Sequence, residues 1–477
     1  MSREKARSAV IWSGLDVFVR QFIGFAISIV LARLLVPEDF GTLALLSLFL
    51  GVAQLFVNAG FSAALIQKQD TSHVDESTVF WFNLAAGLAM TILLVGVSPW
   101  VAAFFKQPVL TPLTCLMACN ISISAFASIH ATLMNKRLDF KTPMKIGVIA
   151  TVLSGSVGIY LAWNGYGVWA LAWQAVLNSF VGVILLWYWN PWRPLFVFSR
   201  ESVRSLFGFS GWLFASAILD TVYQRGYTLL IGRFYGMHDL GIYDRADKTQ
   251  QLPGGILSSL LARVAFPLFS SIHKNKDKLR VGVRSSVRSI MLVNIPAMMG
   301  LAVLAEPFVR EVFGEQWVSA APALQVLCVA GLLYPLHVIN LNVLQAQGHA
   351  NLFFRLEVIK KSLGTLLLIG GSFYGIMGIA WSRVIQSVFA YAVNGFFTHK
   401  FLDYGIRKQS LDCTASFALS MVMAAVVMVA DQWIELGGKS ELVVLVLIGA
   451  VFYLLCNVVT GNNAFRESIS FAKGTRV

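Results

Sequence analysis

The stretch LARLLVPEDFG, residues 31–41, has a second copy in the chain, LIGRFYGMHDLG, residues 230–241. Both copies carry an Arg, an Asp six positions later and a Gly eight positions later, and equivalent residues are 200 positions apart. The two copies are therefore predicted to be equivalent turns, each following a long apolar helix. The matched residues are Arg33, Asp39 and Gly41 in the first copy and Arg233, Asp239 and Gly241 in the second.

A second repeated pattern supports an internal duplication. YGVWALAWQ, residues 166–174, matches YGIMGIAWS, residues 374–382, at an offset of 208. Alone, the first pattern could simply be a good interfacial turn, but two patterns in the same order favour duplication. Repeats of six spans each enter a membrane the same way round, which gives parallel bundles about an axis along the membrane normal.

The composition predicts an all-α polytopic membrane protein. Of 477 residues, 57% are hydrophobic and only 13% are charged, with a mean hydropathy of +0.70. Soluble domains carry roughly 25% charged residues. Apolar runs of about 20 residues, long enough to cross a bilayer as helix, recur along the whole chain.

These runs predict about fourteen transmembrane helices, including one over 42–67 and one over 285–313. They are arranged as six, six and two. The predicted organisation is an N-terminal six-helix bundle (1–190), a cytoplasmic linker (191–204), a second six-helix bundle (205–402) and two additional helices with a cytoplasmic tail (403–477).

The distribution of basic residues predicts the orientation. Lys and Arg concentrate in the connections on the N-terminal side, whereas the opposite connections contain only Lys106 and Lys439. By the positive-inside rule, both termini are cytoplasmic. The net charge of +13 is explained by this pattern, so no nucleic-acid partner is expected. The basic run from His273 is interpreted as a topology signal that contacts anionic lipid headgroups.

Cysteine usage indicates neither a disulfide framework nor a metal site. The five cysteines all lie inside apolar runs, and their number is odd. Cys115 and Cys119 share a helical face, but no His or carboxylate accompanies them. No metal and no cofactor are expected.

Polar residues inside the predicted spans are the candidate functional residues. Asp16 and Arg20 lie on one face of span 1, and Asp220 and Arg225 lie on one face of span 7. Charges in a bilayer cost several kcal/mol on the lower estimates, so these faces should line a hydrated cavity shared by the two bundles. Alternatively, Asp16 and Arg20 neutralise each other at a spacing of four.

Spans 8 and 12 add further candidates. Arg263 and Arg383 are intramembrane cations without an obvious partner nearby in sequence, and Asp247 lies on the polar face of span 8. The residues Pro253, Gly254 and Gly255 predict a hinge in span 8, because Pro removes a helix donor and Gly loosens the helix.

The chain resembles the oligosaccharide-lipid flippases of the multidrug/oligosaccharidyl-lipid/polysaccharide exporter superfamily. Within it, the colanic-acid, capsule and O-antigen exporter branch is the most similar. The resemblance covers almost the whole chain. It is carried by LARLLVPEDFGTLAL from Leu31, LMNKRLDFKTPMKIGV from Leu133 and QQLPGGILSSLLARVAFPLFS from Gln250.

The resemblance implies a transporter in the bacterial inner membrane and not an enzyme. Its expected substrate is a polyprenyl-pyrophosphate-linked oligosaccharide, flipped to the outer leaflet by alternating access. A polysaccharide polymerase and the export machinery are candidate partners, besides membrane lipids. Arginine suits a pyrophosphate because its planar fork donates two hydrogen bonds. The expected ligands of the pyrophosphate are Arg20, Arg225, Arg263 and Arg383, with Asp16, Asp220 and Asp247 orienting them or carrying a coupling ion.

Three other functions remain open at this point. A drug or metabolite antiporter of the same superfamily typically has twelve spans and a carboxylate-centred site. A membrane polysaccharide polymerase or ligase usually needs a large outer loop. Between the predicted spans, whose lengths follow from the thickness of a bilayer, no outer connection exceeds about ten residues. A nonenzymatic scaffold would leave the matched polar faces unexplained.

Overall fold

The computed structural model describes residues 3–58, 61–67, 70–137, 139–272, 275–348, 350–434 and 436–472. Within these ranges some side chains are not described, including those of 3–17, 205–213 and 256–268. All regular secondary structure in the described ranges is helical, as the predicted all-α class requires.

The first compact unit spans Met1–Gly241. In it α4 packs on α5, α6 packs on α1 and α7, and α8 packs on α2, α3 and α4. The predicted division into six-helix bundles at 191–204 stays a prediction. The helices of this unit are α1 (Arg3–Leu34), α2 (Pro37–Asn58), α3 (Phe61–Gln67), α4 (His73–Phe105), α5 (Leu110–Lys136), α6 (Lys141–Trp163), α7 (Val168–Trp189) and α8 (Arg200–Phe234).

The second compact unit spans Ile242–Val477. In it α14 packs on α12 and α13, while α10 packs on α12 and α15. Its helices are α9 (Met237–Ile272), whose first turn belongs to the first unit, α10 (Lys276–Val303), α11 (Ala305–Phe313), α12 (Ala321–Ala346), α13 (Ala350–Ser372), α14 (Gly375–Leu402), α15 (Ile406–Trp433), α16 (Gly438–Thr460) and α17 (Asn463–Ala472), with a 3₁₀ turn at Glu315–Ala320.

Ten helices in the described part of the chain are long and apolar enough to cross a membrane. They make this a multi-pass membrane protein. The four further predicted spans correspond to α1, α8, α9 and α13, which are 32, 35, 36 and 23 residues long. Six of the seven candidate ionic residues lie on α1, α8 and α9.

The predicted single span over 285–313 is two helices. α10 ends at Val303, and the short amphipathic α11 begins at Ala305. Pro307 explains the break, because proline cannot donate to the carbonyl four residues earlier and is tolerated only in the first turn of a helix.

Candidate functional site

The duplicated turns join equivalent helix ends. α1 ends at Leu34 and α2 begins at Pro37, while α8 ends at Phe234 and α9 begins at Met237. Both bounds therefore repeat at the offset of 200 residues seen in the sequence. The structural repeat follows the sequence repeat at this point.

The two turns pack directly against each other through their glycines. A Cβ atom on Gly41 would overlap the carbonyl oxygen of Met237, and a Cβ atom on Gly241 would overlap the carbonyl oxygen of Pro37. This contact is reciprocal, because Pro37 and Met237 are themselves equivalent positions of the repeat. Only a residue without a Cβ atom allows so close an approach of two backbones, which explains the glycine in both copies.

A further pair of equivalent residues meets across the same contact. His238 Nδ1 lies 2.8 Å from Glu38 Oε1, and both side chains are about half exposed. An exposed pair of this kind contributes at most about 1 kcal/mol. The glycines therefore determine how closely the turns pack, and the Glu38–His238 pair adds a polar contact.

Asp39 of the first turn lies at the start of α7. The backbone N–H of Val168 donates to the Asp39 carboxylate. A Cβ atom on Gly167, the residue that caps α7, would be 3.3 Å from Asp39 Oδ1. A carboxylate at a helix N-terminus is stabilised by the unpaired N–H groups there, so Asp39 connects the first turn to α7.

The arginines of the turns are exposed. The guanidinium of Arg233 lies 5.1 Å from the centre of the Phe104 ring at the end of α4. Arg33 is exposed and Asp239 is half-buried. A structural role of Arg33, Arg233 and Asp239 in the turns stays a prediction.

Arg20 in α1 is exposed and lies across α6. A Cβ atom on Gly147 would overlap the Cδ atom of Arg20 and would lie 2.9 Å from its Nη1. The glycine therefore makes the space that the arginine occupies. The side chain of Asp16 lies outside the described residues, so the alternative of an Asp16–Arg20 pair stays open.

Asp220 and Arg225 lie on α8. Asp220 is exposed and Arg225 is partly exposed. Between them, Thr221 lies against α2, where a Cβ atom on Gly51 would be 3.2 Å from its methyl group. Arg225, four residues after Thr221, lies on the same face of α8 as this contact.

In the second unit, the structure brings two predicted site residues together. Arg383 Nη2 of α14 lies 4.0 Å from Asp247 Oδ1 of α9, and Gln251 Nε2 donates to Asp247 Oδ2 at 2.8 Å. Asp247 is buried and Arg383 is mostly buried. The partner of Arg383 could not be predicted from its neighbours in the sequence, because Asp247 is 136 positions away on another helix.

The start of α9 carries more charge. Lys248 Nζ lies 2.6 Å from Asp244 Oδ2. The guanidinium of Arg245 is buried against two aromatic rings, 4.8 Å from the centre of Phe313 and 4.9 Å from that of Trp317. Arginine stacked on aromatic faces gains a cation–π interaction, so this arginine joins α9 to α11 and the 3₁₀ turn.

The predicted hinge lies in a continuous helix. α9 is helical across Pro253, Gly254 and Gly255. Gly254 is buried, and a Cβ atom there would be 3.7 Å from Met298 of α10. The hinge stays a prediction. The side chain of Arg263, further along α9, lies outside the described residues.

A polar cluster lies between α12, α13 and α14, and the sequence predicts only one of its pairs, Glu357 with Lys361. Lys360 Nζ lies 2.5 Å from Glu357 Oε1, and Lys361 Nζ lies 3.5 Å from Glu357 Oε2. His337 Nε2 lies 3.0 Å from Ser387 Oγ, one helical turn after Arg383 on α14. The i, i+3 and i, i+4 spacings of the lysines and Glu357 were the only sequence signal for this cluster.

A second cluster, which sequence analysis missed, is here called the Asp412 clasp. Arg284 donates through Nε and Nη2 to Asp412 at 2.7 and 2.8 Å. Arg288 donates to Asp412 and, through Nη1, to Glu467 at 2.7 Å. The hydroxyl of Tyr404 also donates to Asp412, at 2.9 Å. These two arginines thus join α10, α15 and α17, and Arg284, the last residue of the basic run from His273, pairs within the protein.

The chemistry of these groups suits anions and protons more than metals. Among the residues that the structure describes, no three His, Cys, Asp or Glu side chains are grouped so that they could hold a metal ion. The candidate groups are arginines and carboxylates of α1, α8, α9 and α14, which are predicted to lie inside the membrane. Such groups bind phosphate oxygens or exchange protons.

Comparison with protein families gives two matches. The model of a family described as "Polysaccharide biosynthesis protein" matches residues 30–322. The model of "Lipid II flippase MurJ" matches residues 229–451. The first match covers more than half of the chain.

Curated relatives and a solved structure agree with these matches. The chain is 29% identical to the teichuronic acid biosynthesis protein TuaB of Bacillus subtilis, covering 84% of both chains. It is 30% identical to the lipopolysaccharide biosynthesis protein WzxC of Escherichia coli, covering 82% of this chain and 81% of that one. The fold resembles that of the lipid II flippase MurJ in an inward closed conformation, with a TM-score of 0.79, 16% identity and coverage of 96% and 100%.

Proposed function

The chain belongs to the polysaccharide biosynthesis protein family, and from this premise we propose that it moves a lipid-linked oligosaccharide across a bacterial inner membrane. The substrate is a polyprenyl-pyrophosphate-linked repeat unit, which passes from the cytoplasmic to the outer leaflet. Relatives named for teichuronic acid, lipopolysaccharide and succinoglycan synthesis support this substrate class. The protein is a transporter and not an enzyme.

The proposed arrangement is about fourteen transmembrane helices with both termini in the cytoplasm. Two parallel six-helix bundles are followed by α15 and α16. The repeat of helix bounds at the two turns supports parallel bundles. The few basic residues in the predicted outer connections support the orientation.

The observation that carries the proposed function is the Arg383–Asp247 pair inside the second unit. A charge inside the membrane is costly unless it is paired or faces water. The paired carboxylate holds the guanidinium in place, and an incoming pyrophosphate can compete for it with two parallel hydrogen bonds. Arg20, Arg225 and Arg263 are the further proposed ligands. Asp16 and Asp220 are proposed to orient them or to carry a coupling ion.

Transport by alternating access requires contacts that open and close. The reciprocal contact of the two turns supports a closed outer side, because each turn ends a helix at the predicted outer surface. Pro253, Gly254 and Gly255 are proposed to let α9 bend as that contact opens. A polysaccharide polymerase is the proposed downstream partner.

Removal of the proposed ligands tests the function. In a strain that lacks the gene, Arg20→Ala and Arg225→Ala proteins should insert normally but fail to restore polymer export. Lipid-linked repeat units should then accumulate on the cytoplasmic leaflet, because the head group is no longer held.

A matched control is Arg280→Ala, which removes an exposed arginine whose partner is Asp277. This variant should export normally. Full export by both cavity variants would remove Arg20 and Arg225 from the binding role, and accumulation on the outer leaflet would point to polymerisation as the missing step.

A further inference from the structure

The segment between α7 and α8, residues 190–199, follows a fixed path along the start of α4. His73 Nε2 lies 2.9 Å from the carbonyl oxygen of Arg193. Eight positions further along α4, Trp81 Nε1 donates to the carbonyl oxygen of Leu195 at 2.8 Å. These contacts, together with the length of the tryptophan side chain, place the segment along the first turns of α4.

The segment then turns back. The ring of Phe196 lies 5.3 Å from that of Trp81. By Ser202 the chain has returned to the beginning of α4, where the Ser202 hydroxyl donates to Asp75 at 2.6 Å. Residues 193–199 therefore form a loop whose tip is Phe196, and we call it the 193–199 loop.

The backbone of this loop is hydrogen-bonded to hydroxyl groups of α4. The N–H of Leu195 donates to Ser77 Oγ at 2.9 Å, and the N–H of Ser199 donates to Thr78 Oγ1 at 3.1 Å. Both hydroxyl residues are fully buried. The prolines in and just before the loop have no N–H to satisfy. These two hydrogen bonds hold both ends of the loop against α4, and the residues of the tip lie between them.

The tip of the loop is apolar and uncovered. Four consecutive large apolar residues are exposed, and Phe196 is 92% exposed. Basic residues lie on both sides of them. Exposed apolar side chains between arginines are typical of segments that lie at the boundary between lipid headgroups and acyl chains. The four apolar residues are Leu195, Phe196, Val197 and Phe198, and the flanking arginines are Arg193, Arg200 and Arg204.

The length of α4 indicates where this boundary lies. Its 33 residues extend about 50 Å, whereas the hydrocarbon core is about 30 Å thick. Helix α4 is therefore long enough for its first turns to stand in the headgroup layer while Trp81 reaches the edge of the hydrocarbon. Tryptophan is enriched at that depth.

We infer that the 193–199 loop lies at the boundary of the leaflet in which α4 begins, with its backbone among the lipid headgroups and the side chain of Phe196 among the acyl chains. Its partner is the hydrocarbon of the phospholipid bilayer. The linker between the two halves is then anchored in the membrane and does not extend into the cytoplasm. The inference does not depend on which substrate is transported.

A spin label at the tip tests this position. The five cysteines are replaced by alanine, Phe196→Cys is labelled, and the protein is reconstituted in vesicles of phosphatidylcholine and phosphatidylglycerol. Collisions with oxygen, which concentrates in hydrocarbon, should exceed collisions with a water-soluble nickel chelate several-fold. The control label at Arg280→Cys, on an exposed residue of α10, should give the opposite order. Dominant nickel collisions at residue 196, or shielding from both reagents, would overturn the inference.

Removal of a hydrogen-bond partner tests the geometry of the loop. In the labelled protein, Thr78→Val should lower the ratio of oxygen to nickel collisions at residue 196 severalfold, because Ser199 loses its acceptor. The matched control is Thr91→Val in the same helix, whose hydroxyl donates to Ala118 and not to the loop. An unchanged ratio in the Thr78→Val protein would mean that α4 does not hold the loop.

Discussion

At the scale of single residues, Gly41 is the position most sensitive to added volume. Gly41→Ala should destabilise the protein by about 1–3 kcal/mol, because the new methyl group forces the two backbones apart. Gly24→Ala is the matched control, since a Cβ atom there meets nothing within 4 Å. It should raise stability by up to about 1 kcal/mol, because alanine has a higher helix propensity than glycine. Thermal unfolding of the purified proteins measures both effects, and equal midpoints for the two variants would contradict the reciprocal turn contact.

The residues of the turns were predictable because a duplication repeats them in the sequence. Their contact was not, since nothing in a linear repeat says that Gly41 and Gly241 face each other. The same limit applies to Arg383, whose pairing with Asp247 depends on how α14 crosses α9. Ion pairs between residues three or four positions apart on one helix, such as Asp244–Lys248, can be predicted from sequence spacing. Ion pairs between two helices cannot.

At the scale of helices, the Asp412 clasp should determine how firmly α17 is held on α10 and α15. Asp412→Asn leaves Arg288, which is only 15% exposed, with a weaker partner. The free energy of unfolding should fall by about 2 kcal/mol. Breaking a fully buried ion pair costs about 3–5 kcal/mol, and the loss here is smaller because Arg284 is half exposed. Limited proteolysis near residue 463 should accelerate together with the loss of stability.

The matched control lies on α10, the helix that carries Arg284 and Arg288. Asp277→Asn removes an exposed aspartate that pairs with Arg280 at 3.0 Å, and it should cost less than about 0.5 kcal/mol. If both variants unfold at the same temperature as the parent protein, the clasp does not contribute to stability.

Most helices could be predicted because each apolar run is long enough to cross a bilayer. The exceptions have local physical causes. Pro307 divides a continuous apolar run into α10 and α11, and hydropathy alone does not register that break. The 193–199 loop lies in the segment that was predicted to be a cytoplasmic linker. That prediction followed because a run of four apolar residues is too short to cross the membrane. The depth of the loop depends on contacts with α4.

At the scale of the whole molecule, alternating access requires the contact between the two turns to open and close. If a closed outer side is one state of the transport cycle, Glu38 and His238 must separate once in every cycle. The exposed pair itself is weak, so it can break within a cycle, whereas a covalent link between the same positions cannot. The contact therefore offers a direct test of whether the outer side moves.

In a cysteine-free protein, Glu38→Cys and His238→Cys joined by a short bifunctional methanethiosulfonate should flip lipid-linked oligosaccharide at least tenfold more slowly. Reduction should restore the rate, because only the link prevents the two turns from separating. Each single-cysteine protein, treated with the same reagent, should keep its rate. If the linked protein flips substrate as fast as the reduced one, the turns stay together throughout the cycle. The outer side would then have to open elsewhere, and the repeated turn would be a fixed pivot.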